Sequence, residues 1–420
     1  MRKKQYKIFA AIHLGSEMIS MQIVQYRNLN NMKVLEECNR RVRLGEETFK
    51  NKIIPFSMVN EICELLVGFK RLMTEYEVEE YSMQATTAVR EALNRVFLLD
   101  QIYIRTGLKV TVIDLPEEIY TKYASIRRTM KLDGLTGVDE SMLMMDISSG
   151  GLGITFVKDN IIRYQQNLNI GVIRVKESFS RNQRSSMKFN QALAEYLSST
   201  MGAVRDALKN EQIHYLVLTG AESELLLQMM GVEFKAGVIR IKTEQFMQLF
   251  KTVHELNLPQ IIKVFKINED VAELVVPTIL LYEQLLALVP VQEIILTDDR
   301  FIDGICLLHI GPKASKDYAD ELEQEQLSLL YSIGERYQYD EAHSRQVAKL
   351  ALAMFDKLGK HHGLDSHSRI LLQATALLHD IGVLGDKRTI HSLDAIDNIH
   401  DPHQRQGVAM LEGLATFQPI

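Results

Sequence analysis

Asp146 closes an apolar run and is followed by Ile147, Ser148, Ser149, Gly150 and Gly151. A carboxylate beside a turn of small residues suits holding Mg²⁺ or orienting water, while the backbone N–H groups of the turn can approach phosphate oxygens. The pattern has an echo near the start of the chain, where an apolar run leads to His13, Leu14, Gly15 and Ser16, with a histidine where the other copy carries its acid. Strand, tight turn and return strand, used twice, is how a duplicated phosphate-gripping fold begins. Two residues between the copies fit the same chemistry. Arg90 lies one turn into a helix opened by Thr86 and Thr87. Free N–H groups and the dipole at such an end favour an anion, and a guanidinium adds a bidentate grip on phosphate. Glu118 follows Pro116 and Glu117 where a strand passes into a helix. A glutamate there can take a proton from water, or can simply favour the helix dipole. Far downstream, His343 and the adjacent pair His379-Asp380, with His391 beyond them, suit a metal site built across helices; a buried polar contact is the alternative. His361, His362 and His367 fall in a polar connection and read as solvated.

The elements that must position these groups are legible as patterns. Strand-like runs at 6–14, 18–26 and 32–44 form a meander, and Pro55 opens an amphipathic helix to about residue 76. A short strand at 81–85 leads into the helix that carries Arg90 and Asn94, and a strand at 109–113 leads into the helix of Glu118. The pattern restarts at 142–147, 152–157, 161–164 and 213–218, with helices at 243–254 and 271–288, and 293–296 and 301–309 close that half. Residues 311–320 read as a linker. Beyond it the chain reads as helical at 321–336, 340–361 and 366–381. The expected organisation is an α/β domain over 1–130, a second over 131–312, and an all-α module over 321–420.

Composition narrows the class. The chain has 420 residues, too many for one ordinary core, and is 46% hydrophobic and 24% charged. Its net charge of −6 disfavours nucleic acid as a partner while leaving room for a local basic pocket. Cys38, Cys63 and Cys306 have no CxxC spacing, which excludes a Cys-based zinc site and a disulfide framework. No apolar run approaches the roughly 18 residues of a membrane span, and no long apolar leader follows the basic start. A cytoplasmic location without membrane attachment is the expectation.

Taken together, these residues resemble the exopolyphosphatase / guanosine pentaphosphate phosphatase (Ppx/GppA) family, over nearly the whole chain. Residues 85–94 (ATTAVREALN) are close to the family's Ala-Thr-Ser-Ala-Leu-Arg-x-Ala-x-Asn block. The stretch VIDLPEEIY is similar to the segment that bears the family's catalytic glutamate, which falls on Glu118. MMDISSGG resembles the second phosphate loop, 167–179 the block after it, and LLHDIG at 377–382 a piece of the family's HD-like helical domain. The resemblance implies two actin-like domains of the sugar kinase–actin–Hsp70, ribonuclease H-like class, with a C-terminal all-α HD-like domain. It implies removal of terminal phosphate from polyphosphate or guanosine pentaphosphate with Mg²⁺ or Mn²⁺, in a homodimer. The implied roles are water activation by Glu118, phosphate contacts from Gly15, Ser16, Arg90, Ser148, Ser149, Gly150 and Gly151, and a divalent cation on Asp146.

The chain also departs from the family pattern. The first loop of similar proteins reads Asp-x-Gly-Ser-Asn-Ser, against His13-Leu14-Gly15-Ser16-Glu17-Met18 here. The second reads Asp-Ile-Gly-Gly-Gly-Ser-x-Glu, against Asp146-Ile147-Ser148-Ser149-Gly150-Gly151-Leu152-Gly153. Imidazole is a poor substitute for a hard oxygen ligand of Mg²⁺, and Glu17 adds negative charge where phosphate approaches. In the helical module, Asp394, Asp397 and Asp401 are the candidates for a fourth ligand, close after His391. The module then reads as an incomplete catalytic site with a structural or dimer-forming role, His343, His379 and Asp380 remaining as a second metal site. Three readings stand: a phosphohydrolase weakened by its loops, a phosphate-binding pseudoenzyme with a regulatory role, and metal-dependent phosphohydrolysis in the helical module by His343, His379 and Asp380.

Overall fold

The computed structural model describes residues 6–135, 141–148, 150–159, 161–179, 189–233, 237–337 and 339–380. It divides into two compact units: Met1–Asn160 with Tyr164–Ser315, and Lys316–Ile420 with Ile161–Arg163.

The first unit opens with β1 (Lys7–Leu14), β2 (Met18–Tyr26) and β3 (Met32–Arg41), a meander whose first turn is Gly15, Ser16 and Glu17, with Gly15 too close to the Met18 carbonyl to carry a Cβ. α1 (Leu44–Asn51) and α2 (Phe56–Glu75) follow, where a longer third strand was expected to run on to residue 44. α2 buries Val59, Ile62, Leu66, Phe69 and Met73 on one stripe, each burial contributing about 1.5–3 kcal/mol before entropy is subtracted. β4 (Glu80–Ala85), α3 (Thr87–Glu91), α4 (Arg95–Thr106) and β5 (Thr111–Val112) complete the first half. The helix expected from Thr86 through Asn94 is broken: Ala92 is extended, and Asn94 is clipped onto both backbone groups of Ile54. The sheet order is β3-β2-β1-β4-β5, with β1 parallel to β4.

α5 (Leu115–Leu132) begins at Asp114, whose side chain accepts the Glu117 N–H, and has Pro116 in its first turn. The second sheet is then laid down by β6 (Ser141–Ile147), β7 (Leu152–Lys158) and β8 (Ile161–Leu168). Next come α6 (Val172–Ser178), α7 (Phe189–Thr200), α8 (Gly202–Leu208), β9 (Tyr215–Thr219) and α9 (Ala221–Met230). β10 (Val238–Lys242), α10 (Thr243–His254), α11 (Leu258–Phe265), α12 (Glu269–Leu288), β11 (Glu293–Thr297) and α13 (Phe301–Ala314) end the unit. The order β10-β11-β9-β6-β7-β8 contains the path of the first sheet a second time: an antiparallel meander, then parallel strands added beside its first member. α12 has the length and hydropathy of a membrane span, unlike anything expected from unbroken apolar runs, because Glu273 and Glu283 interrupt it. Its Val275, Ile279, Leu281, Tyr282 and Leu285 are buried in the core of the second sheet.

From Lys316 to Asp380 the second unit is helical, with α14 (Lys316–Arg336), α15 (Glu341–His362) and α16 (Ser366–Leu378) close to the expected positions. Leu330, Ala348, Ala374, Leu377 and Leu378 form its core. The expected linker at 311–320 is absent: α13 continues through Pro312, and Ser315 is the extended residue before α14. A proline here forfeits one helical hydrogen bond without ending the helix, so composition was a poor guide.

Candidate functional site

Register places the two turns in equivalent positions. His13 pairs with Ser20 one residue before the end of β1, and Asp146 pairs with Gly153 one residue before the end of β6. The C-terminal ends of β1, β4, β6, β9 and β11 open on one cleft of about 400 Å³. Ligands of open α/β sheets bind outside such strand ends. Its wall includes His13, Gly15, Ser16, Thr87, Glu118, Lys122, Asp146 and Ser148, together with Asp298, Asp299 and Arg300 after β11.

Glu118 is held in place from two sides. The Arg90 guanidinium donates to its carboxylate at 3.0 Å and the Thr87 hydroxyl at 3.2 Å. Arg90 also donates to the Thr87 hydroxyl at 2.9 Å and to the Ile113 carbonyl at 2.8 Å. Its guanidinium is therefore committed to anchoring the glutamate and lies outside the residues that line the cleft. Burial raises the Glu118 pKa, against the opposing charge and hydrogen bond of Arg90. Glu117, outside the cleft wall, has its pKa pushed up to about 7 by burial and by the charge of Asp114.

His13 is locked as a neutral ring. Its Nε2 lies 3.2 Å from the Thr86 hydroxyl, and the ring packs against Phe301 with centroids 4.4 Å apart. Burial, then the charge of Lys122, lowers its pKa to about 3. The ring is therefore uncharged at neutral pH. Asp146 is paired with the Lys122 ammonium, and only 12% of the Lys122 side chain is exposed. Sequence reasoning missed Lys122, although it follows Glu118 by four residues and so shares its helix face.

The second turn is tied to itself and to its surroundings. The Ser148 N–H donates to the Gly151 carbonyl at 2.9 Å, and the Gly151 N–H donates to the Ser148 hydroxyl at 3.2 Å. Arg174 Nε donates to the Gly150 carbonyl at 2.8 Å; the same guanidinium pairs with Glu91 and stacks over Phe49. Gly150 sits beneath Thr87 and Phe49, where an added Cβ would meet side-chain atoms at 2.9 and 3.0 Å. Gly150 and Gly151 support the turn from outside the cleft wall, whereas Gly15, Ser16 and Ser148 line it. Ser149 lies outside the described residues. Arg174 and the triplet 298–300 also went unread; the triplet's signal was its place directly after an apolar strand, like that of Gly220 after β9.

The cleft is acidic for a phosphate site. Glu17, Glu118, Asp146, Asp298 and Asp299 face Lys122 and Arg300, and Arg300 is already paired with Glu37 and Asp303. Among the described residues no three of these groups bring ligand atoms within mutual reach, so the donor set does not make a cage for a resident divalent ion. Position 13 is an imidazole, position 153 has no side chain, and Asp146 already carries an ammonium. Among the described residues, the one group of three metal-ligating side chains within mutual reach is His343, His379 and Asp380 in the helical unit, with ligand atoms inside 4.8 Å. His343 Nε2 and His379 Nε2 are 3.3 Å apart, and His379 Nδ1 is 2.9 Å from the Ala376 carbonyl. That second contact fixes the ring with Nε2 toward the cluster. All three are at least partly exposed, contrary to a buried polar contact. His391, Asp394, Asp397 and Asp401 lie outside the described residues. His362 is less solvated than expected: it accepts the Leu364 N–H at 2.9 Å and donates to the Phe355 carbonyl at 2.9 Å, closing the end of α15.

Comparison with known proteins places this geometry. The chain is 23% identical over 407 residues to a guanosine-5′-triphosphate,3′-diphosphate pyrophosphatase of Vibrio atlanticus, covering 94% of this chain and 77% of that protein. It is 23% identical over 181 residues, 42% of this chain and 27% of the other, to a bifunctional 3-dehydroquinate synthase/phosphatase of Fusobacterium nucleatum. The fold is that of an exopolyphosphatase from Cytophaga hutchinsonii (TM-score 0.64, 19% identity, 72% of this chain and 98% of that one). It is equally that of the Aquifex aeolicus Ppx/GppA family member (TM-score 0.61, 20% identity, 72% and 97%). Residues 328–395 match Ppx/GppA phosphatase domain III. With residues 22–307, well over half the chain, matching the Ppx/GppA phosphatase family itself, the chain belongs to that family.

Proposed function

We propose that the cleft hydrolyses a terminal phosphoanhydride of a phosphate chain, either polyphosphate or the 5′ chain of guanosine pentaphosphate. The observation that carries this reading is Glu118: a partly buried carboxylate on the cleft wall, with its pKa raised and its position fixed by Arg90 and Thr87. Both substrates accord with the family and with the names of the relatives in Vibrio and Cytophaga.

In this mechanism the terminal phosphate enters beside Gly15, Ser16 and Ser148. Glu118 accepts a proton from water as the water oxygen bonds to phosphorus, and the bridging P–O bond breaks toward the remaining chain. Arg90 acts as a positioning residue, since its hydrogen bonds hold Glu118 and not the cleft. The acidic wall disfavours a bare polyanion, so the substrate enters as its Mg²⁺ or Mn²⁺ complex.

The test is phosphate release from both substrates, with Glu118→Gln as control. Loss of a general base lowers the rate by about 10²–10⁴-fold. Release that Glu118→Gln leaves intact would remove the proposed base, and binding without release would identify the pseudoenzyme. The raised pKa sets a second expectation. Glu118 must be ionised to accept a proton, so kcat/KM falls, as pH is lowered, at a pH above the ordinary glutamate range near 4.5. An acid limb at or below that range would assign it to another group.

For the helical unit we propose an HD-like arrangement in which His343, His379 and Asp380 bind a divalent transition metal, supported by their mutual reach. Calorimetry with Mn²⁺ on the intact chain and on His343→Ala tests it. An unchanged isotherm would rule the cluster out.

A further inference from the structure

Asp146 is the acid of the second turn, and its carboxylate is taken by Lys122 from α5. The opposite turn presents the neutral ring of His13, already held by Thr86 and Phe301. Position 153, the neighbour of Asp146 on β7, is glycine; an added Cβ there would lie 3.3 Å from Ile119 and 3.8 Å from the Asp146 Cβ. The turns carry two carboxylates, Glu17 and Asp146; among the described residues no three ligand groups of the cleft come within mutual reach, and Asp146 is already paired. Lys122 reaches it because residues four apart on a helix share a face, which also places the ammonium in the cleft wall with Glu118.

We propose that Lys122 is the resident cation of this site, an internal ammonium standing on Asp146 where a metal-dependent site would hold a divalent ion. The assignment rests on the reading of the cleft as the phosphate site, but its test reads metal binding and not turnover, so the two fail separately. The ammonium keeps Asp146 paired in the absence of metal and presents one positive charge to the incoming phosphate. Divalent ions then reach the cleft only as part of the substrate complex.

Mn²⁺ binding, followed by the paramagnetic resonance of free Mn²⁺, tests this on the full chain carrying His343→Ala, which removes the helical cluster from the count. Three further changes are compared in that background: Asp146→Asn, Lys122→Met, and the two together. The expected result is that Asp146→Asn leaves the isotherm unchanged. Lys122→Met gains a site, with affinity up by at least about tenfold from removal of a neighbouring positive charge. Adding Asp146→Asn abolishes that gain. A site already present with Lys122 intact and lost in Asp146→Asn would overturn the proposal, as would a folded Lys122→Met that gains nothing. If Lys122→Met fails to melt cooperatively, Lys122→Gln takes its place under the same two criteria.

Discussion

Glu117 and Glu118 are adjacent and chemically identical, yet the helix turns them to different surroundings. The resemblance singled out Glu118, but the pattern alone allowed both, because first-turn acids are common. The structure separates them by contacts: Glu118 meets Arg90 and Thr87, whereas the backbone of Glu117 is capped by Asp114. Glu117 supplies a stability prediction of definite sign. Its folded pKa of about 7 lies above the ordinary value of 4.5. Between those values the folded state holds a proton that the unfolded state has lost, so this group makes stability fall as pH rises through the window. Glu117→Gln is expected to raise Tm at pH 8 and to leave it nearly unchanged at pH 4. An equal shift at both values would mean that packing, and not ionisation, is responsible. His13 works in the opposite sense. Its folded pKa, lowered to about 3, makes stability fall as pH drops below its ordinary value of 6.5. The Glu117 effect is therefore read as a difference between variant and wild type, in which the histidine contribution cancels.

At the scale of elements, the two strand–turn–strand units were legible because small residues punctuate long apolar runs. The tie between the second turn and α6 was not, since it depends on backbone from distant segments meeting. Gly171 is where they meet. It precedes α6, its neighbour Val172 donates to the Ser148 carbonyl at 3.2 Å, and a Cβ on Gly171 would overlap the backbone at Ser148, Gly150 and Gly151. No flexible side chain stands there to yield, so the turn itself must move. Gly171→Ala is expected to cost about 1–3 kcal/mol, the range for overpacking a tight interior. Urea unfolding should show the midpoint falling with an unchanged slope, alongside lower phosphate release. A variant with wild-type stability and activity would show that the second turn can shift freely. The broken helix at Ala92 makes the same point about legibility. A threonine pair and a downstream Asn suggested one continuous helix, and only the return of residue 54 shows why Asn94 leaves it.

At the scale of the whole molecule, the cleft chemistry and the histidine cluster fall in different compact units, divided at Ser315. Amphipathic periodicity marks the helices read at 321–336, 340–361 and 366–381, close to the observed Lys316–Arg336, Glu341–His362 and Ser366–Leu378. Sequence reasoning missed that α13 runs through the expected linker, because Pro312 and Gly311 suggested a stop that tertiary packing overrides. α13 belongs to the first unit by its contacts: Phe301, Ile302, Ile305, Cys306 and Ile310 pack with Phe9, Ala11 and Val24 of the first sheet. The solved relatives align with 72% of this chain while covering nearly all of their own length, so a fold of this kind stands without a counterpart to the rest. A chain ending at Ser315 keeps every cleft residue and the whole of α13. It is expected to unfold cooperatively in urea and to release phosphate within about tenfold of the intact chain, a cost of no more than about 1.4 kcal/mol in the barrier. It should also lose the Mn²⁺ binding that His343→Ala removes from the full chain, because all three candidate ligands are gone. Retained Mn²⁺ binding would move the metal back to the cleft, and lost phosphate release from a folded fragment would make the helical unit part of the working site.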